Sequence, residues 1–277
     1  MTALALALRP AAEWLPARPW NGMTVLDAYC NIGGAGMGFW LAGFDVVGVD
    51  ILDQPRYPFP FLHGDAIETI TAHGERFDLI SAGPPCQFDC TLTAGTNQAR
   101  RDRYADLLEP TREALESTSR PYVIEQPPGR ASRRMRADLK LCGEMFGLRV
   151  IRHRIFELGG WFALQPPHVP HRGRTAGYRH GVRYEGRYFQ VYGNGGGKGT
   201  VPEWQNAMGI HWTTDRRELA EAIPPAYTRF IGEHALLHLS SEAPGARRVQ
   251  ARPPASGGDF AAVGAPVGLK PPQVPVR

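Results

Sequence analysis

The sequence predicts an α/β fold: a doubly wound, largely parallel sheet with helices covering both faces. Short apolar runs, Thr24–Tyr29, Val46–Asp50, Phe77–Ser81 and Tyr122–Glu125, recur between about residues 24 and 155. Continuous runs of this kind suit strands buried on both faces, whereas half-solvated strands alternate. Helical stretches separate the runs, and Gly- or Pro-rich turns end them. In such a fold, ligands gather at the carboxyl ends of the strands.

The elements follow in order. After the first strand, Gly33–Gly38 leads into a helix through Phe39-Trp40-Leu41-Ala42 that Gly43 ends. The second strand closes on Asp50. The third gives way to Gly83-Pro84-Pro85, and the fourth to Gln126-Pro127-Pro128. A later strand-like run ends at Arg152-His153-Arg154-Ile155-Phe156, with both arginines on one face by alternation. From about 159 to 200 helical periodicity stops. Six Lys or Arg stand there against the single acid Glu185, interleaved with aromatics that include Trp161, Tyr178 and Phe189. Helical pattern returns at about 202–239, with Pro224-Pro225 opening the last helix. The expected organisation is an N-terminal extension at 1–22, a main domain at 23–158 and 201–239, an inserted region at 159–200 and a disordered tail at 240–277, where Pro, Gly and Ala dominate.

Composition sets the limits. The 277 residues are 43% hydrophobic and 21% charged, ordinary globular values that allow one sizeable core. A net charge of +4 suits an anionic partner. Cys30, Cys86, Cys90 and Cys142 fit neither a small disulfide scaffold nor paired zinc motifs, so reduced thiols and a cytoplasmic setting are expected. The opening apolar run has no basic residue before it and stops at Arg9-Pro10, so neither a signal peptide nor a membrane span is expected. His168-Val-Pro-His171 raises a metal, but no cysteine lies close in sequence to complete a common zinc set, and none is expected.

Several residues carry chemistry. The glycine turn after the first strand lets a cofactor approach the backbone, and also suits packing alone. Asp50, at a strand end, can accept from ribose hydroxyls or simply face water. Asp65, in Gly64-Asp65-Ala66-Ile67, can reach an adenine amino group or cap the next helix. Two prolines before Cys86 make a rigid turn that presents a thiol at a strand end. Glu125 ends the next strand, where a carboxyl could protonate a ring nitrogen.

Together these pieces resemble the cytosine-C5 methyltransferase family. Asp27-Ala28-Tyr29-Cys30-Asn31-Ile32-Gly33-Gly34 is similar to the family's cofactor turn, Val49-Asp50 to its ribose-binding acid and Gly64-Asp65-Ala66-Ile67 to its adenine-contacting segment. Gly83-Pro84-Pro85-Cys86-Gln87-Phe88 resembles the nucleophile motif, and is the most specific of these. Ile124-Glu125-Gln126-Pro127 stands where the family has Glu-Asn-Val, and Arg152-His153-Arg154 where it has Arg-x-Arg. Ala222-Ile223-Pro224-Pro225 with Ile231-Gly232 is similar to its C-terminal helix, and Ala207-Met208-Gly209 to a late supporting segment. The likeness spans about residues 23–238. It departs at Tyr29 and Asn31 (usually Phe and Gly), at Gln126 and Pro127, at Val150, and at Glu221.

The resemblance implies a Rossmann-like methyltransferase sheet with a small inserted target-recognition region. It implies S-adenosylmethionine as cofactor, held by Tyr29, Cys30, Asn31, Gly33, Gly34, Asp50, Ile51, Asp65, Ala66, Gly83, Pro85, Glu221 and Ala222. Cys86 would attack C6 of cytosine while Glu125 protonates N3 and Arg152 and Arg154 hold the base, which must be flipped out of its stack. Gln87, Arg100 and Arg101 in a mobile loop, and Arg172, Arg174, Arg179, Arg183 and Arg187 in the insertion, would meet nucleic acid. Double-stranded DNA is the expected partner, the protein a monomer, and the target sequence short, since the insertion is. The same chemistry on RNA is the first alternative. A non-catalytic nucleic-acid-binding protein on this fold is the second, against which intact Cys86, Glu125 and Arg154 argue.

Overall fold

The computed structural model describes residues 8–86, 105–193 and 198–241. Strands β1 (Thr24–Ala28), β2 (Asp45–Asp50), β3 (Phe61–His63), β4 (Leu79–Ala82) and β5 (Tyr122–Gln126) pair in parallel. Strand β6 (Leu139–Leu141) joins through β7 (Arg154–Gly159), which runs antiparallel to both β5 and β6. The order is β3-β2-β1-β4-β5-β7-β6. This is a Rossmann-like, doubly wound sheet. The chain leaves β1 towards β2 on one side and returns to β4 on the other, so a crevice opens between the carboxyl ends of β1 and β4.

Alternating side chains feed two cores, as the pleat requires. Val25, Leu79, Val123 and Phe156 pack on one face with Met37 and Phe39 of α1 (Gly34–Leu41), and with Tyr227 and Ile231 of the C-terminal helix. Leu26, Ile80 and Ile124 point to the other face. There they meet Ala66 and Ile70 of α2 (Ala66–His73) and Leu108, Ala114 and Leu115 of α3 (Leu108–Ser117). Both faces are covered, which explains why the strand sequences are apolar throughout rather than alternating.

Three helices follow the insertion: α4 (Val201–Met208), α5 (Arg216–Glu221) and α6 (Pro225–Ser241). Thr200 and Glu203 form a reciprocal capping box at α4, and Asp215 caps α5. Helix α6 returns to α1 at very close range. The Thr228 hydroxyl donates to the Ala35 carbonyl at 2.8 Å, and a Cβ on Gly38 would collide with Thr228 and with the Pro225 carbonyl.

The insertion carries a short hairpin, β8 (Gly177–Arg179) with β9 (Val182–Tyr184). Among the described residues it has no separate core. Ala176, Phe189 and Val191 pack with Trp204, Met208, Leu219 and Ile32 in a third cluster that reaches the glycine turn. Trp161, read from the sequence as part of the insertion's aromatic face, instead belongs to the main core and donates to the Tyr122 carbonyl at 3.0 Å. Tyr188 and Phe189 are buried too, while Phe162 and Tyr192 are exposed.

One strand differs from the sequence reading. The run through Arg152–Phe156 does not end a strand; β7 starts at Arg154, and Arg152 precedes it. Because β7 is antiparallel, its start lies beside the carboxyl end of β5, with Ile155 opposite Gln126 and Phe156 opposite Glu125. Antiparallel pairing therefore delivers Arg154 to the ligand edge of an otherwise parallel sheet.

Residues 8–22 pack on the main domain. Arg9 bridges Phe61, and Arg18 lies over the Trp40 ring at 3.8 Å while pairing with Asp45. Among the described residues, no helix is long and apolar enough to cross a membrane. Of the expected tail, Ser240 and Ser241 end α6, and residues 242–277 lie outside the described residues.

Candidate active site

The crevice at the sheet's carboxyl edge is a cavity of about 600 Å³. That volume is enough for a small cofactor together with part of a substrate. Two groups of side chains line it.

The first group surrounds the turn after β1. Tyr29, Asn31 and Gly33 have φ of 58°, 47° and 81°. Three left-handed residues in five curl the chain tightly, and Asn tolerates that conformation better than most residues with a Cβ. This explains how Asn31 can stand where the resembled family has glycine. Tyr29 is held by a 2.7 Å hydrogen bond between its hydroxyl and that of Thr111. Asp50 Oδ2 accepts from the Asn31 amide at 3.0 Å, and Oδ1 accepts from the Leu52 amide at 2.9 Å. The carboxylate is thus fixed, with lone pairs remaining. Asn31 Nδ2 lies 3.5 Å from Glu221 Oε2, and Arg217 holds the other oxygen of Glu221 at 3.0 Å. The departures at Asn31 and Glu221 therefore face one another across the cleft.

Tyr29, Cys30, Asn31, Gly34, Asp50, Ile51, Glu221 and Ala222 all line the cavity, as do Gly83 and Pro85. Gly33, Asp65 and Ala66 do not. Gly33 serves the turn, where a Cβ would press on Pro58 and Tyr57. Asp65 caps α2, accepting from the Glu68 amide at 2.9 Å. Ala66 is buried in the core.

The second group holds Cys86, Glu125, Arg152 and Arg154. Cys86 follows Pro84-Pro85 at the end of β4 and is partly exposed. The neighbouring strand is locked to that turn by Gln126, whose Nε2 donates to the Pro84 carbonyl at 2.6 Å. Glu125 is buried, and Arg154 Nε lies 2.7 Å from its Oε1. Among the described residues no N–H is aimed at that oxygen with hydrogen-bonding geometry, so the pair is an ionic contact with acceptor capacity left over. Burial raises the Glu125 pKa, opposed by the charges of Arg154 and Arg152. Arg152 is buried as well, and burial, then the Arg154 charge, pull its pKa down to about 9. It donates to the carbonyls of Val191 at 2.8 Å and Ala220 at 2.6 Å, and lies within electrostatic reach of Cys86. Its bonds make it a strut between the insertion and α5, while Arg154 faces the carboxylate.

Sequence reasoning passed over Asp27 as a functional group. It is fully buried on the cavity wall and accepts from the Tyr57 hydroxyl at 3.1 Å. Burial raises its pKa to about 7, with the Tyr57 and Gly36 hydrogen bonds opposing. A buried acid amid a continuous apolar strand was the available signal. The native state keeps this proton over a range where the unfolded chain, titrating near 4, has lost it. Asp27 therefore favours folding fully below about pH 4, and that contribution disappears as pH rises to about 7. The loss is on the order of 4 kcal/mol for three pKa units. Asp27→Asn is expected to flatten the pH dependence of the melting temperature across pH 4–7. An unchanged slope in thermal melts over that range would contradict this.

Of the residues expected to meet nucleic acid, Gln87, Arg100 and Arg101 lie outside the described residues. Arg172 is exposed and Arg179 ends β8. The others are engaged within the protein: Arg174 with the Glu185 carbonyl, Arg183 with Glu185 and Glu203, and Arg187 with Glu144.

No protein-family model matches the chain, and no curated protein sequence matches it significantly. Among solved structures it is similar to the Dnmt2 methyltransferase of S. pombe, at 13% identity and a TM-score of 0.45, covering 78% of this chain and 99% of that one. It is also similar to an S-adenosylmethionine-dependent methyltransferase of Agrobacterium tumefaciens, at 18% identity and a TM-score of 0.23, covering 40% of each chain.

Proposed function

We propose that this chain is an S-adenosylmethionine-dependent methyltransferase that modifies C5 of cytosine in double-stranded DNA. One observation carries the reading. A thiol on a rigid Pro-Pro turn, a buried carboxyl and two arginines open into the same cleft as a left-handed turn and a fixed strand-end aspartate.

The first group of residues suits the cofactor. Asp50 offers lone pairs to ribose hydroxyls, and Ile51 and Leu52 leave apolar surface exposed beside it for a flat ring. At Gly34, which lines the cavity with Ile223, a Cβ would strike the Ile223 carbonyl, so glycine is needed where the two backbones meet. Bound there, S-adenosylmethionine would supply an electrophilic methyl group to a nucleophilic carbon.

The second group makes such a carbon. As a thiolate, Cys86 adds to C6 of cytosine, and the electron pair of the C5–C6 double bond moves to C5. Protonation of N3 makes C6 electrophilic, and Glu125, whose pKa burial raises against the charges of Arg154 and Arg152, would supply that proton. Arg154 remains to bind the base O2, and Arg152 favours the thiolate through its charge. After transfer, loss of the C5 proton returns electrons to the ring and expels Cys86. A stacked base cannot reach this geometry, so the cytosine must be extruded.

Nucleoside mass spectrometry tests the reading, on duplex DNA and transfer RNA incubated separately with protein and S-adenosylmethionine. The expected product is 5-methyldeoxycytidine. Product on RNA alone would transfer the same chemistry to the other polymer. Product on neither would overturn the proposal.

A further inference from the structure

Outside the cleft, one cluster has no part in the proposed reaction. Cys142 directly follows β6. His153 precedes β7, and His168 and His171 lie in Pro166-Pro167-His168-Val169-Pro170-His171, where the chain enters the insertion. One ligand atom from each of the four lies within 4.8 Å of every other. The sequence reading expected no metal for want of a nearby cysteine; the fold brings one from about 26 residues upstream.

The separations are informative. His153 Nε2 lies 3.0 Å from His168 Nε2 and 3.2 Å from His171 Nε2, and His171 Nε2 lies 3.6 Å from Cys142 Sγ. A tetrahedral zinc ion with bonds of about 2.0–2.1 Å to nitrogen and about 2.3 Å to sulfur has edges of roughly 3.3–3.6 Å. The observed contacts fall at or near these edges. Hydrogen bonding among the side chains accounts for them less well. His171 Nδ1 is 2.7 Å from Glu144 Oε2, which occupies that nitrogen and leaves Nε2 turned toward the other three side chains. Glu144 is itself fixed, accepting from the Tyr188 hydroxyl at 2.5 Å and pairing with Arg187 at 2.9 Å. A carboxylate behind a ligating histidine is the usual outer support of a zinc site. The charges also suit an ion: a thiolate and Glu144 together offset a divalent cation beside Arg152 and Arg154.

We propose that Cys142, His153, His168 and His171 bind one zinc ion in a closed tetrahedral site. Four protein ligands leave no position for substrate, so the role is structural. The site fastens the entry to the insertion onto the β6–β7 edge. His153 lies between Arg152 and Arg154, so the same bond steadies the segment that carries both.

The test uses the full chain, purified after expression in zinc-supplemented medium. Elemental analysis should find about one zinc per chain, as a structural site retains its metal through purification. Replacement by cobalt should give the visible bands of tetrahedral coordination with a thiolate charge-transfer band, and Cys142→Ser should remove that band. His168→Gln, at the exposed corner of the cluster, should lower zinc content at least tenfold, while His211→Gln should leave it unchanged. Should the variants unfold, the native chain still decides: chelation should lower its melting temperature and zinc should restore it. Wild-type protein without stoichiometric zinc or a cobalt spectrum would overturn the proposal, as would full zinc content in a folded Cys142→Ser, His168→Gln double variant.

Discussion

Cys86→Ser is expected to reduce methyl transfer by at least about a thousandfold while leaving the protein folded and bound to its polymer. A hydroxyl is a far weaker nucleophile than a thiolate at neutral pH, and removal of a covalent catalyst costs factors of this size. Stability should barely change. Cys86 is partly exposed on a turn set by prolines, and serine adds no volume. The first check is product formation with the nucleoside assay. The second uses DNA carrying 5-fluorocytosine, where no C5 proton is available for elimination. The wild-type protein should form an adduct that survives denaturation, and Cys86→Ser should form none. Methylation undiminished in the variant would remove the covalent mechanism altogether.

Much of this architecture could be read from residue order, because the physical signals were local. Continuous apolar runs marked strands β1, β2, β4 and β5, and their bounding Gly and Pro residues marked the turns that hold Asn31 and Cys86. The three-residue strands β3 and β6 carry too little pattern to stand out. The direction of β7 depends on pairing with β5, which no short stretch encodes; hence the pattern of Arg152–Phe156 reads as a strand's end although it holds the start of β7. The glycine turn, Asp50, Cys86 and Glu125 do line one cleft. Asp65 reads equally as ligand or cap, and the cap forms locally, through the amide three residues along the chain. The insertion's arginines illustrate the other limit. Composition shows that they are basic, yet Arg183 and Arg187 find Glu203 and Glu144 only in the fold. The Cys142–His153–His168–His171 cluster is the extreme case, with ligands drawn from three separate segments.

Glu125→Gln should separate proton donation from shape. Gln has nearly the same volume and keeps an oxygen facing Arg154, but it cannot deliver a proton to N3. Losing a positioned general acid costs about a hundredfold to ten-thousandfold, and the fall should appear in kcat with little change in KM. The pH profile provides the sharper criterion. Burial raises the Glu125 pKa, so the acid form persists above the ordinary carboxylate range and wild-type activity should decline on the alkaline side as that proton is lost. The variant, having no such group, should lack that limb. Both Glu125→Gln and Glu125→Ala remove the charge that compensates Arg154, at a cost of up to about 3–5 kcal/mol, but Glu125→Ala also removes the oxygen facing Arg154 and the side-chain volume, so it would not isolate the effect. Melting temperatures therefore accompany the kinetics. A Glu125→Gln protein that melts like the wild type and keeps both its rate and its alkaline limb would remove Glu125 from the chemistry and reduce it to an anchor for Arg154.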